Sequence, residues 1–149
     1  MFRDAFRRTR CLIPASGYYE WETRPDGKQP HYITSTNGPV LTIAGLWSEW
    51  RDHLNEETLT TCTMIITKAN SFVGAIHDRM PVLLDRESAD AWLSGTAGLE
   101  LLKPAPDDAL RMWPVSRRVS KVGNGDDPSL IDPVTVHSAA EPATLFRLN

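Results

Sequence analysis

Within Ile76-His77-Asp78-Arg79-Met80-Pro81 an imidazole, a carboxylate and a guanidinium occupy three consecutive positions between apolar neighbours. An unperturbed imidazole titrates near neutrality, so His77 is the foremost acid/base candidate. Pro81 biases Met80 toward extended backbone. In an extended segment Arg79, two residues on, shares a face with His77. Such a pair suits an anion such as a phosphate; a surface histidine and an Arg79–Asp78 ion pair are the plainer alternatives. A second stretch, Gly17-Tyr18-Tyr19-Glu20-Trp21, sets one carboxylate among aromatics. In a strand Glu20 lies on the side of Tyr18, opposite Tyr19 and Trp21. A carboxyl group in aromatic surroundings can have a raised pKa and act as a general acid, whereas an exposed strand position needs no chemistry. Trp21 offers a face for stacking on a nucleobase, worth about 1–3 kcal/mol per base in single-strand binders, or a place in the core or rim.

Other reactive groups point nowhere in particular. Cys62 alternates with apolar positions in a strand-like run and Cys11 leads into Leu12-Ile13, so both read as packed, inert thiols. Ser16 lacks the Gly-x-Ser-x-Gly elbow. His31, His53 and His137 form no ligand cluster, so neither a metal nor any other cofactor is expected. Two cysteines without zinc spacing or a disulfide framework fit a reducing, cytoplasmic protein. No apolar run approaches the ~20 residues of a membrane span and no secretory segment follows Met1, so no membrane partner is expected.

The net charge of −3 argues against coating duplex DNA by bulk electrostatics, but a local basic groove depends on distribution rather than total. Arg3, Arg7, Arg8 and Arg10 crowd the start, and Arg111, Arg117, Arg118 and Lys121 a later segment. Each run is also what an ordinary solvated face looks like.

These groups need elements to hold them. The 149 residues, 41% hydrophobic with five Trp, suffice for one domain with a core. Phe2–Arg10 reads as a short helix, and Cys11–Pro14 as an apolar segment stopped by proline. Tyr18–Trp21 and Pro30–Ser35 read as a hairpin around Arg24-Pro25-Asp26-Gly27. Val40–Trp50 is a long strand in which Ala44-Gly45 marks a bulge or close backbone approach. His53–Glu57 is polar loop, and Leu59–Thr67 reads as one strand. Ala69–Ile76 reads as a helix or helical turn delivering His77, and Pro81–Leu84 as a short strand. Asp85 caps a helix through Leu93 that Gly95 closes. Gly98–Lys103 is one more helical turn and Arg111–Val115 a last strand. From residue 123 to 149 the composition suggests a tail that follows the surface or is disordered. The whole predicts an α+β domain: a mixed, largely antiparallel sheet or small barrel flanked by short helices.

These same residues resemble the SOS response-associated peptidase (SRAP) or abasic-site processing family. The matching pieces run in order across residues 1–122. They are Phe2–Ala5, Arg10–Pro14, Gly17–Trp21, Gln29-Pro30 with Tyr32, and Ala44–Trp47, followed by Thr67 with Ala69-Asn70, Ile76–Pro81, Trp92-Leu93 and Pro114–Ser116. The resemblance implies binding of single-stranded DNA and trapping of abasic sites in the DNA damage response. In the family an N-terminal cysteine, exposed by self-removal of the initiator methionine, condenses through its amine and thiol with the sugar aldehyde to form a thiazolidine cross-link. The resemblance assigns proton transfer in this chemistry and its reversal to Glu20 and His77, a phosphate contact to Arg79, and the DNA surface to Trp21 and Thr67. The family's Met-Cys-Gly-Arg start and the segment bearing its catalytic asparagine have no counterpart here, where Phe2 follows Met1. The expectation is a chain that keeps the acid/base residues and lacks the cross-linking nucleophile, with the missing segment supplied elsewhere or replaced by self-association. The alternative is a noncatalytic DNA-binding or protein-interaction module. A literal peptidase finds no triad or metal site in Glu20 and His77 alone.

Overall fold

The computed structural model describes residues 2–52, 54–123, 125 and 127–136; His53, His137 and the remainder of the expected tail lie outside the described residues. A helix α1 (Phe2–Arg8) leads into eight strands: β1 (Arg10–Ala15), β2 (Tyr18–Arg24), β3 (Gly27–Ser35), β4 (Leu41–Arg51), β5 (Thr58–Met64), β6 (Ile66–Lys68), β7 (Arg79–Pro81) and β8 (Leu110–Pro114), with helix α2 (Arg86–Ser94) between β7 and β8. They form three small sheets, ordered β1-β4-β5, β2-β3-β8 and β6-β7, and every named pairing is antiparallel. This is the α+β architecture expected, divided into several sheets. No helix among the described residues is long and apolar enough to cross a membrane.

Local chemistry accounts for much of it. Asp85 accepts a hydrogen bond from the Ser88 N–H at 2.8 Å while Ser88 Oγ accepts from the Asp85 N–H at 3.1 Å, a reciprocal cap. Gly95, in the left-handed conformation, closes the helix. The two-residue turn Pro25-Asp26 pairs Arg24 with Gly27 and so sets the whole β2–β3 register. At Gly45 a Cβ would stand 2.9 Å from Cys11 Sγ and from Ile13 Cδ1, the close approach its position predicts. Pro14 does not stop its strand: β1 is an edge strand, where a missing N–H is tolerated, and the ladder runs on to Ala15.

Two buried clusters hold the sheets together. One gathers Ile33, Leu41, Ile43, Val73, Met80 and Leu110; the other gathers Ala44, Leu46, Val82, Leu84, Ala89 and Trp92. The second is locked by Arg10, whose guanidinium lies 4.6 Å from the Phe6 ring centroid and 4.4 Å from that of Trp92. It donates to the carbonyls of Phe6, Trp92 and Ala97. This residue of the N-terminal basic run is therefore structural.

Two expectations need correcting. The run Leu59–Thr67 is not one strand: β5 pairs with β4, Ile65 donates to Ala44 O and accepts from the Val82 N–H, and β6 then pairs with β7. Cys62 is not packed, since all seven residues of β5 are exposed. Alternation marks which side chains share a face but not whether anything covers that face. Beyond β8 the chain returns over its sheet: Trp113 Nε1 donates to Ile131 O at 2.7 Å, Val134 N to Pro114 O at 2.9 Å, and Leu130 is buried.

Candidate active site

The β2–β3 hairpin brings Glu20 to the site, and a short turn brings His77. Strand alternation puts Tyr18, Glu20 and Glu22 on one face of β2. His77 arrives through Asn70, which is buried. Its Oδ1 accepts from the Val73 N–H at 2.9 Å, starting the 3-10 turn Val73–Ala75, and its Nδ2 donates to Ala105 O and Pro106 O. Of the helix or helical turn expected over Ala69–Ile76 the fold forms the turn, Val73–Ala75, with the Asn70 side chain in place of the first helical bond. His77 N–H closes it by donating to Val73 O at 3.0 Å.

Across this gap His77 Nε2 stands 3.8 Å from Glu20 Oε2. On the other side of the ring, Nδ1 lies 3.2 Å from both the N–H and the carbonyl oxygen of Arg79, so either tautomer finds a partner. Asp78 Oδ1 is 3.6 Å from the same nitrogen. Burial raises the Glu20 pKa, opposed by the attraction of His77 and a backbone hydrogen bond at Trp21, and assisted by Asp78. Glu20 keeps only 22% of its side-chain exposure against 40% for His77. The carboxyl group is thus biased toward holding a proton beside an imidazole that can take or return one.

The other anticipated residues fall around this pair. Arg79 is exposed and forms no ion pair with a described carboxylate; its neighbour Asp78 faces His77 instead. Thr67 pairs with Met80 on the ladder face opposite Arg79. Trp21 lies on the opposite face of β2 from Glu20, with Nε1 donating to Ser120 Oγ at 3.0 Å. There it joins a row with Tyr19, Tyr32 and Trp113, whose successive ring centroids are 6.4, 5.4 and 5.4 Å apart. The fold therefore brings Glu20 and His77 together, sets Arg79 at their margin, and leaves Trp21 on the other side of the sheet.

Three further groups belong to the neighbourhood. His31 is directly opposite Glu20 in the ladder and its Nε2 is 3.8 Å from Glu22 Oε2; counting back from the Pro25-Asp26 turn would have found it. The Tyr18 hydroxyl, on the Glu20 face, is buried and has no hydrogen-bond partner among the described residues. Burial, then the charge of Glu20, pushes the Tyr18 pKa well above its ordinary value. Lys68 is directly opposite Arg79, and no local pattern announced it.

An α+β fold of small antiparallel sheets with an acid/imidazole pair between a hairpin and a tight turn defines the class, and sequence and structural comparison identify it. The chain belongs to the SOS response associated peptidase (SRAP) family, whose model matches residues 1–122. It is 35% identical over 137 residues to the Bacillus subtilis (strain 168) abasic site processing protein YoqW, covering 88% of this chain and 60% of that protein. It is 32% identical over 149 residues to the Gallus gallus abasic site processing protein HMCES, covering 84% of this chain and 44% of the relative. A crystal structure of a Bacteroides thetaiotaomicron protein superposes with a TM-score of 0.82 at 28% identity, over 90% of this chain and 60% of that one. The chain thus spans 44–60% of the length of these relatives.

Proposed function

We propose that this chain carries the acid/base half of an abasic-site processing centre acting on single-stranded DNA. The observation that carries the reading is the 3.8 Å approach of His77 Nε2 to a Glu20 carboxyl whose burial favours its protonated form. An abasic sugar rests mainly as a closed hemiacetal. Opening it moves a proton from the anomeric hydroxyl and delivers one to the ring oxygen, and imine formation then needs an acid to release water. Glu20 and His77 supply that exchange. Arg79 holds a phosphate of the strand; a DNA contact by Trp21 would lie on the other face of the β2–β3 sheet, and one by Thr67 on the other face of the β6–β7 ladder.

The cross-linking nucleophile is not among the described cysteines. A thiazolidine takes both the thiol and the free α-amine of one cysteine, and Cys11 and Cys62 lie inside strands with their nitrogens in peptide bonds. Residues 1–122 form the processing unit, and residues 130–134 of the segment beyond lie against its last strand. The two free thiols fit a reducing, cytoplasmic setting.

The test supplies the cysteine from outside. Single-stranded DNA with one abasic site is incubated with the protein and free cysteine, and thiazolidine on the DNA is followed with time. The protein should accelerate trapping, without a heat-stable protein–DNA band on a denaturing gel. An unchanged rate, or a heat-stable band, overturns the reading.

A second reading, a noncatalytic interaction module, draws on β5. This edge strand is uncharged, proline-free and exposed along its length, a template for strand addition. A higher mass in solution, lost on Thr61→Lys, with no acceleration of trapping, would favour it.

A further inference from the structure

Lys68 and Arg79 face each other directly in the β6–β7 ladder, a relation that brings Cβ atoms to about 4.5–5.5 Å and makes like charges repel. No described carboxylate offsets that repulsion. Both side chains are exposed, neither forms an ion pair with a described carboxylate, and Asp78 is turned to His77 at 3.6 Å. The two residues cannot readily part. The next rung, Ala69 N–H to Asp78 O at 2.9 Å, closes the ladder behind them, and the Arg79 N–H is held by His77 Nδ1 at 3.2 Å. Two cations are therefore pinned side by side at the margin of the Glu20–His77 pair, at a place where a strand pair gains from opposite charges.

We infer that Lys68 and Arg79 together form a phosphodiester-binding cradle, in which Lys68 makes a contact of its own in addition to that of Arg79. The inference rests on the single-stranded DNA reading above and adds the group that would fix the strand beside the reacting sugar. The two cations are complementary in kind. Arg79 offers a planar fork for two phosphate oxygens, and Lys68 a compact charge on a flexible stem that follows whichever oxygen remains. A bound phosphate converts their mutual repulsion into two attractions.

The probe is a fluorescently labelled, undamaged oligothymidylate, titrated with the full chain at several salt concentrations. Each phosphate contact to a single strand adds about 0.7 to the slope of log affinity against log salt. Lys68→Ala should make the slope shallower by about 0.7 and weaken low-salt binding several-fold, and Lys68→Arg should restore both. Lys68→Glu, which supplies Arg79 with an ion-pair partner, should remove both contacts and lower the slope by about 1.4. Thermal melting should show Lys68→Arg as stable as the parent and Lys68→Ala and Lys68→Glu at least as stable, since each of those two removes a like-charge repulsion across the ladder. If Lys68→Ala leaves slope and affinity unchanged while Arg79→Ala lowers them, the cradle is wrong and Arg79 acts alone. If the parent chain does not bind the oligonucleotide, the cradle fails together with the DNA reading. Failure of the acid/base reading shows separately in the cysteine-trapping rate, which an undamaged strand does not report.

Discussion

Arg10 and Arg79 carry the same guanidinium into opposite surroundings. Arg10 lies over two aromatic rings that meet edge to face and donates to three backbone carbonyls. Arg79 stands exposed opposite a lysine, without a described carboxylate to pair with. A guanidinium whose Nε and Nη1 donors go to backbone carbonyls and whose face covers two rings is committed to the fold; one held beside another cation has charge to offer. A basic run in sequence therefore says little about function until the partners of each member are known. Arg117 and Arg118 make the same point, pairing with Asp26 and Asp127.

The contrast can be broken at either end. Arg10→Ala should cost the most stability, about 3 kcal/mol from lost charged hydrogen bonds and cation–π contacts, read as a lower denaturant midpoint with the helix signal of α1 and α2 reduced. DNA affinity should change only through unfolding; a stable Arg10→Ala protein that binds DNA poorly would reverse the assignment. Glu20→Gln should lower the acceleration of cysteine trapping by about 100-fold or more, with oligothymidylate affinity unchanged. Arg79→Ala should do the reverse, weakening DNA binding about tenfold at low salt, with a shallower salt slope and no loss of melting temperature.

The smallest expected effect is on the pH dependence of stability. Because burial raises the Glu20 pKa from its usual value of 4.5, the folded protein binds the proton more tightly than the unfolded chain. Stability should fall as pH rises from about 4.5 through the raised folded value, and the loss should persist at higher pH. Glu20→Gln removes this loss, so the variant should be slightly more stable than the parent at neutral pH, with the advantage vanishing below the unfolded pKa. Urea denaturation at pH 4 and pH 8 measures it; an advantage that grows toward low pH would contradict the buried-acid account.

Local signals carried some elements far. The Asp85 cap and Gly95 stop delimited α2, and the Arg24–Gly27 turn predicted the hairpin, whose register places His31 across from Glu20. The bounds of Leu59–Thr67 were not legible, because Ile65 continues the same β-type alternation while its backbone bonds go to two different strands. Nor was the exposure of Cys62, or the opposition of Lys68 to Arg79. Those depend on which strand lies alongside, and β6 and β7 are brought together by the Asn70 turn rather than by a pattern within either one.

What the sequence determined by itself was chemical type and family: an imidazole beside an arginine, a carboxyl among aromatics, and an ordered set of motifs that mark an SRAP chain. Periodicity and turn chemistry act over a few residues, so they could also say that Glu20 and Trp21 point to opposite sides of one strand. Only the tertiary structure decided that His77 comes within 3.8 Å of Glu20, that Arg10 is consumed in packing, and that Lys68 is paired with Arg79 across a ladder. Each of those outcomes is a contact between segments distant in sequence or in different strands, and the energy that selects it belongs to the assembled core, not to either segment alone.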